Sequence, residues 1–262
     1  MKLAHSLRLR LAHHDWLHAA IDLVIVVVGV FLGLQANTWN EDRLRQQQGR
    51  EYRAMLRQDL DTNLGTLVNR RRYYQWVRAE ALAAQAGLAR PSSEEGEQFL
   101  IDSYQASQML PWAIKRNTYD QILSTGALDE LGSPLLRDEV SNYYVTADVS
   151  GANIVSLPPY REILRRVMPY EVQQRVRSRC PEVVGQDSAG SSQVTPAGAC
   201  TLGLDQETVR KAVTQVHDWP QLSLDLNRLI VDLDQKLLSV NLIAARAIET
   251  RHDLEKADGV AG

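Results

Sequence analysis

Aromatic side chains are scarce in this sequence: they make up 6% of its 262 residues, and phenylalanine occurs only twice. Aromatic and β-branched residues favour strands, whereas Leu, Ala, Arg and Gln, which are plentiful here, favour helices. After a short N-terminal stretch and one hydrophobic run are set apart, roughly 220 residues remain, enough to bury a sizeable core. We therefore predict an all-α fold.

The sequence has no large excess of charge of either sign. It carries 29 basic and 32 acidic residues, for a net charge of -3, so duplex nucleic acid is not an expected partner. The one basic cluster, residues 70–72, precedes Tyr73, Tyr74 and Trp76. Basic residues beside aromatics can bind single strands, but we favour a solvated turn of a long helix with its aromatics turned partly inward.

Recognisable catalytic motifs are absent: there is no P-loop, no GxGxxG after a strand, no HExxH, no GxSxG and no EF-hand loop. Beyond the hydrophobic run, the only histidines are His217 and His252, each next to an acidic residue and far from the cysteines. We expect no enzymatic activity, no cofactor and no metal site. The carboxylates of the long helices are expected on solvated faces; they are Asp59, Asp61, Asp225, Asp232 and Asp234.

Only one stretch is apolar for long enough to cross a bilayer. It covers residues 17–36, with Trp16 and Trp39 at its two ends, where an aromatic belt would place them. The residues before it carry more positive than negative charge, which favours a cytoplasmic N-terminus; the charged ones are Lys2, Arg8, Arg10 and Asp15.

The same run can be interpreted as a cleaved signal peptide. Cleavage after Ala36 would place Leu34 three residues before the cut, where a small residue is needed, and Asp22 would interrupt the apolar core. We favour an uncleaved anchor, and both interpretations export the rest of the chain. The predicted organisation is a cytoplasmic segment 1–16, a transmembrane helix 17–36 and an exported domain 37–262.

One face of the predicted membrane helix is small and polar. At 100° per residue, five residues lie along one line: Asp22, Gly29, Gly33, Ala36 and Asn40. The two glycines form a GxxxG pattern, which lets two backbones approach closely in lipid, and a carboxylate within a span turns by default toward a partner or water. We predict a helix-helix interface; the alternative is a plain anchor whose Asp22 snorkels to the headgroups.

His14 and His18 precede Asp22 at four-residue steps, as ligands do in some metal sites. Histidines at a membrane surface usually serve as amphipathic, partly charged residues. We favour this second interpretation over a metal or proton-relay site.

The chain has two cysteines, Cys180 and Cys200, separated by a Gly-, Ser- and Pro-rich stretch with no helical or strand period. A disulfide closing a loop of this length would contribute about 3 kcal/mol and would persist in an oxidising compartment. Two free thiols are the alternative; two cysteines by themselves cannot form a structural zinc site. We predict a disulfide-closed loop 180–200.

Local signals divide the exported part into about six helices. A long amphipathic helix should follow Asn40, either separate from the membrane span or continuous with it, and end at Gly87 and Pro91; a second should run from Ser92 or Ser93 to about Leu110. Asn117 or Thr118 can cap a short helix that stops near Gly126, and Ser133 with Pro134 can open the next. Later helices are predicted from Asp205 to His217 and from Pro220 onward, and the two long helices at the ends suggest an elongated bundle.

The stretches LVIVVVGVFLGLQANTWNEDR and NTYDQILSTGALDELGSPLLRDEVSNYY resemble an uncharacterised family of bacterial single-pass membrane proteins. That family joins a span of the form LVVxGxxxALQxxxWNxxR to a helical domain bearing NTYxxLxxxGxL and a final YY. The resemblance implies a bacterial inner-membrane protein with a periplasmic helical domain, and it implies no activity. The second pattern is matched by Asn117, Thr118, Tyr119, Leu123, Gly126, Leu128, Leu136, Tyr143 and Tyr144, with Val140 where Leu is usual.

The sequence favours a membrane-anchored interaction or scaffold protein whose partners are the bilayer and either further copies of itself or another membrane helix. The alternative is a periplasmic sensor or ligand-binding bundle that signals through a separate membrane partner. A pocket of convergent polar groups near Arg116, Asn117, Tyr119 or Tyr143 would favour sensing. An exposed apolar strip on a solidly packed bundle would favour scaffolding.

Overall fold

The computed structural model describes residues 3–111, 113–188, 190–195 and 198–259. The chain is 79% helical and 3% strand, which confirms the all-α prediction. Its elements are α1 Leu3–Leu88, α2 Glu97–Ala106, α3 Asn117–Thr125, α4 Pro134–Val155, α5 Pro159–Val167, α6 Tyr170–Arg179, β1 Val183–Gln186, β2 Ser192–Thr195, α7 Gln206–His217 and α8 Leu222–Ala257, with 3-10 turns at Ser92–Glu94 and Ala127–Leu131.

The chain divides into two compact units, the first ending at Glu51 and the second beginning at Tyr52. The first unit contains the hydrophobic run, and its helix is long and apolar enough to span a membrane. Several residues used above lie outside the described part: they are Lys2 and the side chains of Arg8, Arg10, Asp15, His14 and His18.

In the second unit, helices α4 and α8 are joined by a buried lysine. Lys236 of α8 is 2% exposed, and its ammonium donates to the carbonyl oxygens of Asn153, Ile154 and Ser156 at 3.1, 2.7 and 2.8 Å. These carbonyls end α4 and have no partner within the helix. Burial lowers the pKa of Lys236 from 10.5 to about 8, and Asp232 opposes this shift.

Polar side chains of α1 bind the backbone of the segment that connects α2 and α3. The Asn63 amide donates to Lys115 O at 2.8 Å and accepts from Lys115 N at 2.6 Å. Asp59 accepts from Thr118 N at 3.3 Å and pairs with the Lys115 ammonium at 3.2 Å. Arg70 donates to the carbonyls of this segment's earlier residues, Leu110 and Pro111.

The predictions of solvated faces were therefore wrong for two residues. Asp59 is 3% exposed and Arg70 is 4% exposed, whereas Arg71 and Arg72 are exposed as expected. Both buried residues belong to the helical face that carries Leu56, Leu60 and Leu67, at steps of three and four. Their position on the core face, rather than their charge, decides their burial.

Helix boundaries follow the local signals in most places. Ser133 Oγ accepts from Leu136 N with Pro134 in the first turn of α4, which confirms the predicted cap. Asp205, where a helix was predicted to start, is the residue before α7, and its Oδ1 accepts from Thr208 N at 2.9 Å. Helix α3 ends at Gly126, whose φ of 70° suits glycine.

Two predicted boundaries were wrong. Helix α2 begins at Glu97 and ends at Ala106, short of Leu110. Neither Asn117 nor Thr118 caps α3, because both already belong to the helix and Asp59 of α1 binds the first-turn amide instead. A cap supplied by a distant helix leaves no local sequence signal.

The disulfide between Cys180 and Cys200 is present, with a Cα–Cα distance of 5.6 Å. The loop it closes was predicted to lack regular structure, but it forms an antiparallel hairpin in which Val183 pairs with Thr195 and Gln186 with Ser192. The turn of this hairpin packs on α1 at Gly65, where an added Cβ would lie 2.3 Å from Ser191 Oγ. Glycine at this position allows the close approach.

We predict that Lys236→Met lowers the free energy of unfolding by about 1–3 kcal/mol, because three carbonyls at the end of α4 lose a charged donor. Urea denaturation measures the loss, and Lys211→Met, on the exposed side of α7, is the matched control. Since the folded pKa of about 8 lies below 10.5, the unfolded chain binds the proton more readily between these values. The contribution of Lys236 to the free energy of unfolding therefore rises with pH between about 8 and 10.5. If the wild type and Lys236→Met differed by the same free energy at every pH, the burial of the Lys236 ammonium would be contradicted.

Candidate functional site

The predicted interface residues of the first unit lie on exposed helix. Asp22, Gly29, Gly33, Ala36 and Asn40 are all exposed. A Cβ added at Gly29 or Gly33 would meet no atom within 4 Å, so this face is uncovered within the described chain. Association through it stays a prediction.

The residues of the predicted ligand pocket lie close together but pack against one another. Tyr119 stacks on Tyr144 with ring centroids 4.2 Å apart, and Tyr143 meets Tyr144 edge-on at 4.8 Å. Arg116 pairs with Asp120 and Asp148 at 3.0 and 2.9 Å.

Asn117, the remaining member of that predicted pocket, is the exposed first residue of α3. Three surface clefts lie elsewhere and are lined by none of the four residues. A pocket at these residues stays a prediction.

Burial raises the pKa of Tyr143 and Tyr144 well above the ordinary value of 10. The nearby Asp59 carboxylate raises the pKa of both further, because a phenolate would face a negative charge. These phenols remain neutral at physiological pH and serve the core.

A cavity that the sequence did not predict lies between α2, α5, α6 and the start of the disulfide loop. It measures about 390 Å³ and is lined by Tyr104, Gln105, Gln108, Arg161, Arg165, Arg177, Cys180, Pro181 and Glu182. The available signal was the density of arginine in residues 160–180, which hold six arginines and two glutamates. That count indicates a basic segment, and only the packing of α5 and α6 against α2 brings three of its arginines to one cavity.

Two arginines of the cavity are held by the end of α2. The Arg165 guanidinium stacks over the Tyr104 ring, 3.9 Å from its centroid, and donates to Ser107 Oγ at 3.1 Å. Arg161 donates to the Ser107 carbonyl oxygen. The hydrogen bonds and the ring contact of these guanidiniums thus go to neutral partners, and the Glu182 carboxylate is the acidic group nearby.

The far wall of the cavity is fixed by the disulfide segment. Gln105 Nε2 donates to Cys180 O at 3.0 Å, and Tyr73 OH donates to Glu182 Oε1 at 3.1 Å. Desolvation raises the pKa of Glu182, whereas the Tyr73 hydrogen bond and the positive charges of Arg161 and Arg165 lower it. Desolvation lowers the pKa of Arg161, and the like charge of Arg165 lowers it further.

Helix α8 carries an apolar strip on the side opposite its core face. Its buried residues include Leu226, Leu229, Leu233 and Val240, whereas the strip is 47–71% exposed. At 100° per residue the strip residues fall within roughly 40° of one line; they are Leu224, Val231, Leu238 and Leu242.

No family model, curated protein or solved structure matches this chain. Among the described residues, no group of three or more His, Cys, Asp or Glu side chains is placed to hold a metal ion. The candidate surfaces therefore have to be interpreted from their own chemistry.

Two buried tyrosines provide a matched test of the core hydrogen bonds. Tyr160 OH donates to Ser103 O at 3.0 Å, whereas Tyr144 OH has no hydrogen-bond partner in the described part of the chain. We predict that Tyr160→Phe costs about 1 kcal/mol of stability, because a buried carbonyl loses its donor, and that Tyr144→Phe is nearly neutral. Chemical denaturation of both variants measures the difference; equal losses would contradict the two environments.

Proposed function

We propose that the protein is a membrane-anchored helical protein that acts by associating with further copies of itself. The observation that carries the proposal is the apolar strip on α8, whose four large side chains remain exposed to water although the core face of the same helix is well buried. Burying such side chains contributes roughly 1 kcal/mol or more each. An uncovered strip of this kind on a packed bundle is typical of an association surface.

Spacing in the strip favours a second copy of the chain as its occupant. Leu224, Val231 and Leu238 recur at seven-residue steps, so identical residues of two parallel α8 helices can face each other around a two-fold axis. Copies anchored in one bilayer are also held at high effective concentration, which favours their association.

The small face of the membrane helix supplies a second, compatible contact. Helices paired through GxxxG usually cross at about 40°. With a rise of about 1.5 Å per residue, two helices that cross at Gly29 and Gly33 have diverged by roughly 9 Å at the level of Asp22. The two carboxylates would thus not be forced together. Asp22 can reach headgroups or water while the glycines pack.

We also propose that the second unit lies on the periplasmic side of a bacterial inner membrane. The Cys180–Cys200 disulfide supports an oxidising compartment, and the basic residues before the span support a cytoplasmic N-terminus.

Association is tested by replacing Gly29 and Gly33 with Ile, which should abolish oligomers of the detergent-solubilised chain because the backbones can no longer approach. Val27→Ile with Phe31→Ile, on the opposite side of the helix, is the matched control. Sedimentation measures the state. Oligomers that persist in the glycine variant would remove the membrane contact from the proposal.

The α8 strip is tested in the same assay with Val231→Glu and Leu238→Glu. The control is Ser223→Glu with Asn241→Glu, which adds the same charge to exposed positions beside the strip. We expect only the strip variant to weaken association. Equal behaviour of both pairs would contradict the role of the strip.

Topology is tested with reporter fusions at the C-terminus. Alkaline phosphatase, which needs an oxidising compartment, should be active, and a cytoplasm-dependent fluorescent protein should stay dark. The reverse pattern would contradict the periplasmic location and leave the association experiments unaffected.

A further inference from the structure

The arginines of the α2–α5–α6 cavity differ in their partners from the arginines of the second unit that form ion pairs. Arg53 pairs with Asp258 at 2.6 Å and Arg78 with Asp234 at 2.6 Å. In contrast, no carboxylate of the described residues forms an ion pair with Arg161, Arg165 or Arg177. Glu182, which lines the same cavity, accepts a hydrogen bond from Tyr73 instead.

Their arrangement is unfavourable without a bound anion. Arg161 and Arg165 are four residues apart on α5, a spacing at which like charges repel, and both are partly withdrawn from water. Partial burial of a cation that has no ion-pair partner costs free energy. Three guanidinium cations and one carboxylate leave this cavity with a net charge of +2 when all are ionised.

Two further polar atoms of the cavity residues are unsatisfied. Gln105 is 2% exposed, and its Oε1 has no hydrogen-bond partner within the described chain, nor does the buried Nε of Arg165. Buried polar groups without partners are uncommon in folded proteins. The Arg165 Nε is a donor that an anion can complete. The Gln105 Oε1 is an acceptor, which needs a donor such as water and does not itself attract an anion.

We propose that this cavity binds a small dianionic solute through carboxylate or phosphate oxygens. The charge of a dianion would neutralise the cavity, and its planar or tetrahedral oxygens match the paired N–H groups of guanidinium. A volume of about 390 Å³ suits a small molecule. This function goes beyond self-association and does not depend on it.

The test uses the full-length chain in a non-ionic detergent, titrated with sodium succinate or sodium phosphate. Ionic strength is held constant with sodium chloride, and the thermal unfolding midpoint is followed. A ligand that binds only the folded state raises the midpoint. We expect a saturable rise with at least one of the two dianions and none with chloride.

Variants then locate the site. Arg161→Gln and Arg177→Gln should each weaken the apparent affinity about tenfold or more, as expected for loss of one charge-assisted contact. Arg166→Gln on α5 and Arg179→Gln on α6 remove the same charge outside the cavity and should leave the affinity unchanged. Arg161 also donates to the Ser107 carbonyl oxygen, so Arg161→Gln could fail to fold. Arg177 is exposed and has no hydrogen bond among the described contacts. Arg177→Gln therefore keeps the test decisive.

Three results would overturn the proposal. The first is no rise with either dianion, and the second is an equal loss of affinity in the cavity and control variants. The third is a rise with dihexanoyl phosphatidic acid but with neither soluble dianion, which would assign the arginines to a lipid headgroup. Association measured separately on the same samples distinguishes failure of this site from failure of the proposed function.

Discussion

Asp59, Asn63 and Arg70 place the backbone of the segment between α2 and α3 on α1, and much of the second unit depends on that attachment. The segment is not helical and cannot satisfy its own amides and carbonyls, so the buried polar groups of α1 replace water as partners. The bidentate contact of Asn63 with Lys115 fixes where α3 begins. The position of α3 in turn sets Tyr119 against Tyr144 of α4.

The other end of α4 is fixed by a similar exchange between side chain and backbone. Lys236 of α8 donates hydrogen bonds to the carbonyl oxygens at the end of α4. Arg53 and Arg57 of α1 form ion pairs with Asp258, just beyond the end of α8. These contacts are buried or nearly so, where electrostatic interactions are stronger than at the surface. Long helices that would otherwise slide along one another thereby acquire a defined register.

The cavity beside the disulfide differs from these contacts because no carboxylate of the described residues forms an ion pair with its three arginines. Cys180 ends α6 and holds the segment that carries Glu182, while the end of α2 holds Arg161 and Arg165 through Ser107 and Tyr104. The disulfide thus contributes to the shape of the cavity as well as to the closure of the loop. The apolar strip of α8 lies on a different surface, so association and solute binding can be separated experimentally.

The sequence alone determined the helical class, the membrane-length helix, the cysteine pair and the local caps at Ser133 and Asp205, because each depends on composition or on residues a few positions apart. It did not determine the burial of Asp59 and Arg70, the cap of α3, the hairpin within the disulfide loop or the cavity of three arginines. The hairpin pairs residues 6 to 12 positions apart in a stretch with no strand period, and the other three features join residues dozens of positions apart. A charged residue looks alike in sequence whether it faces water or a distant carbonyl. Only tertiary packing, which supplies or withholds the partner, decided between those environments.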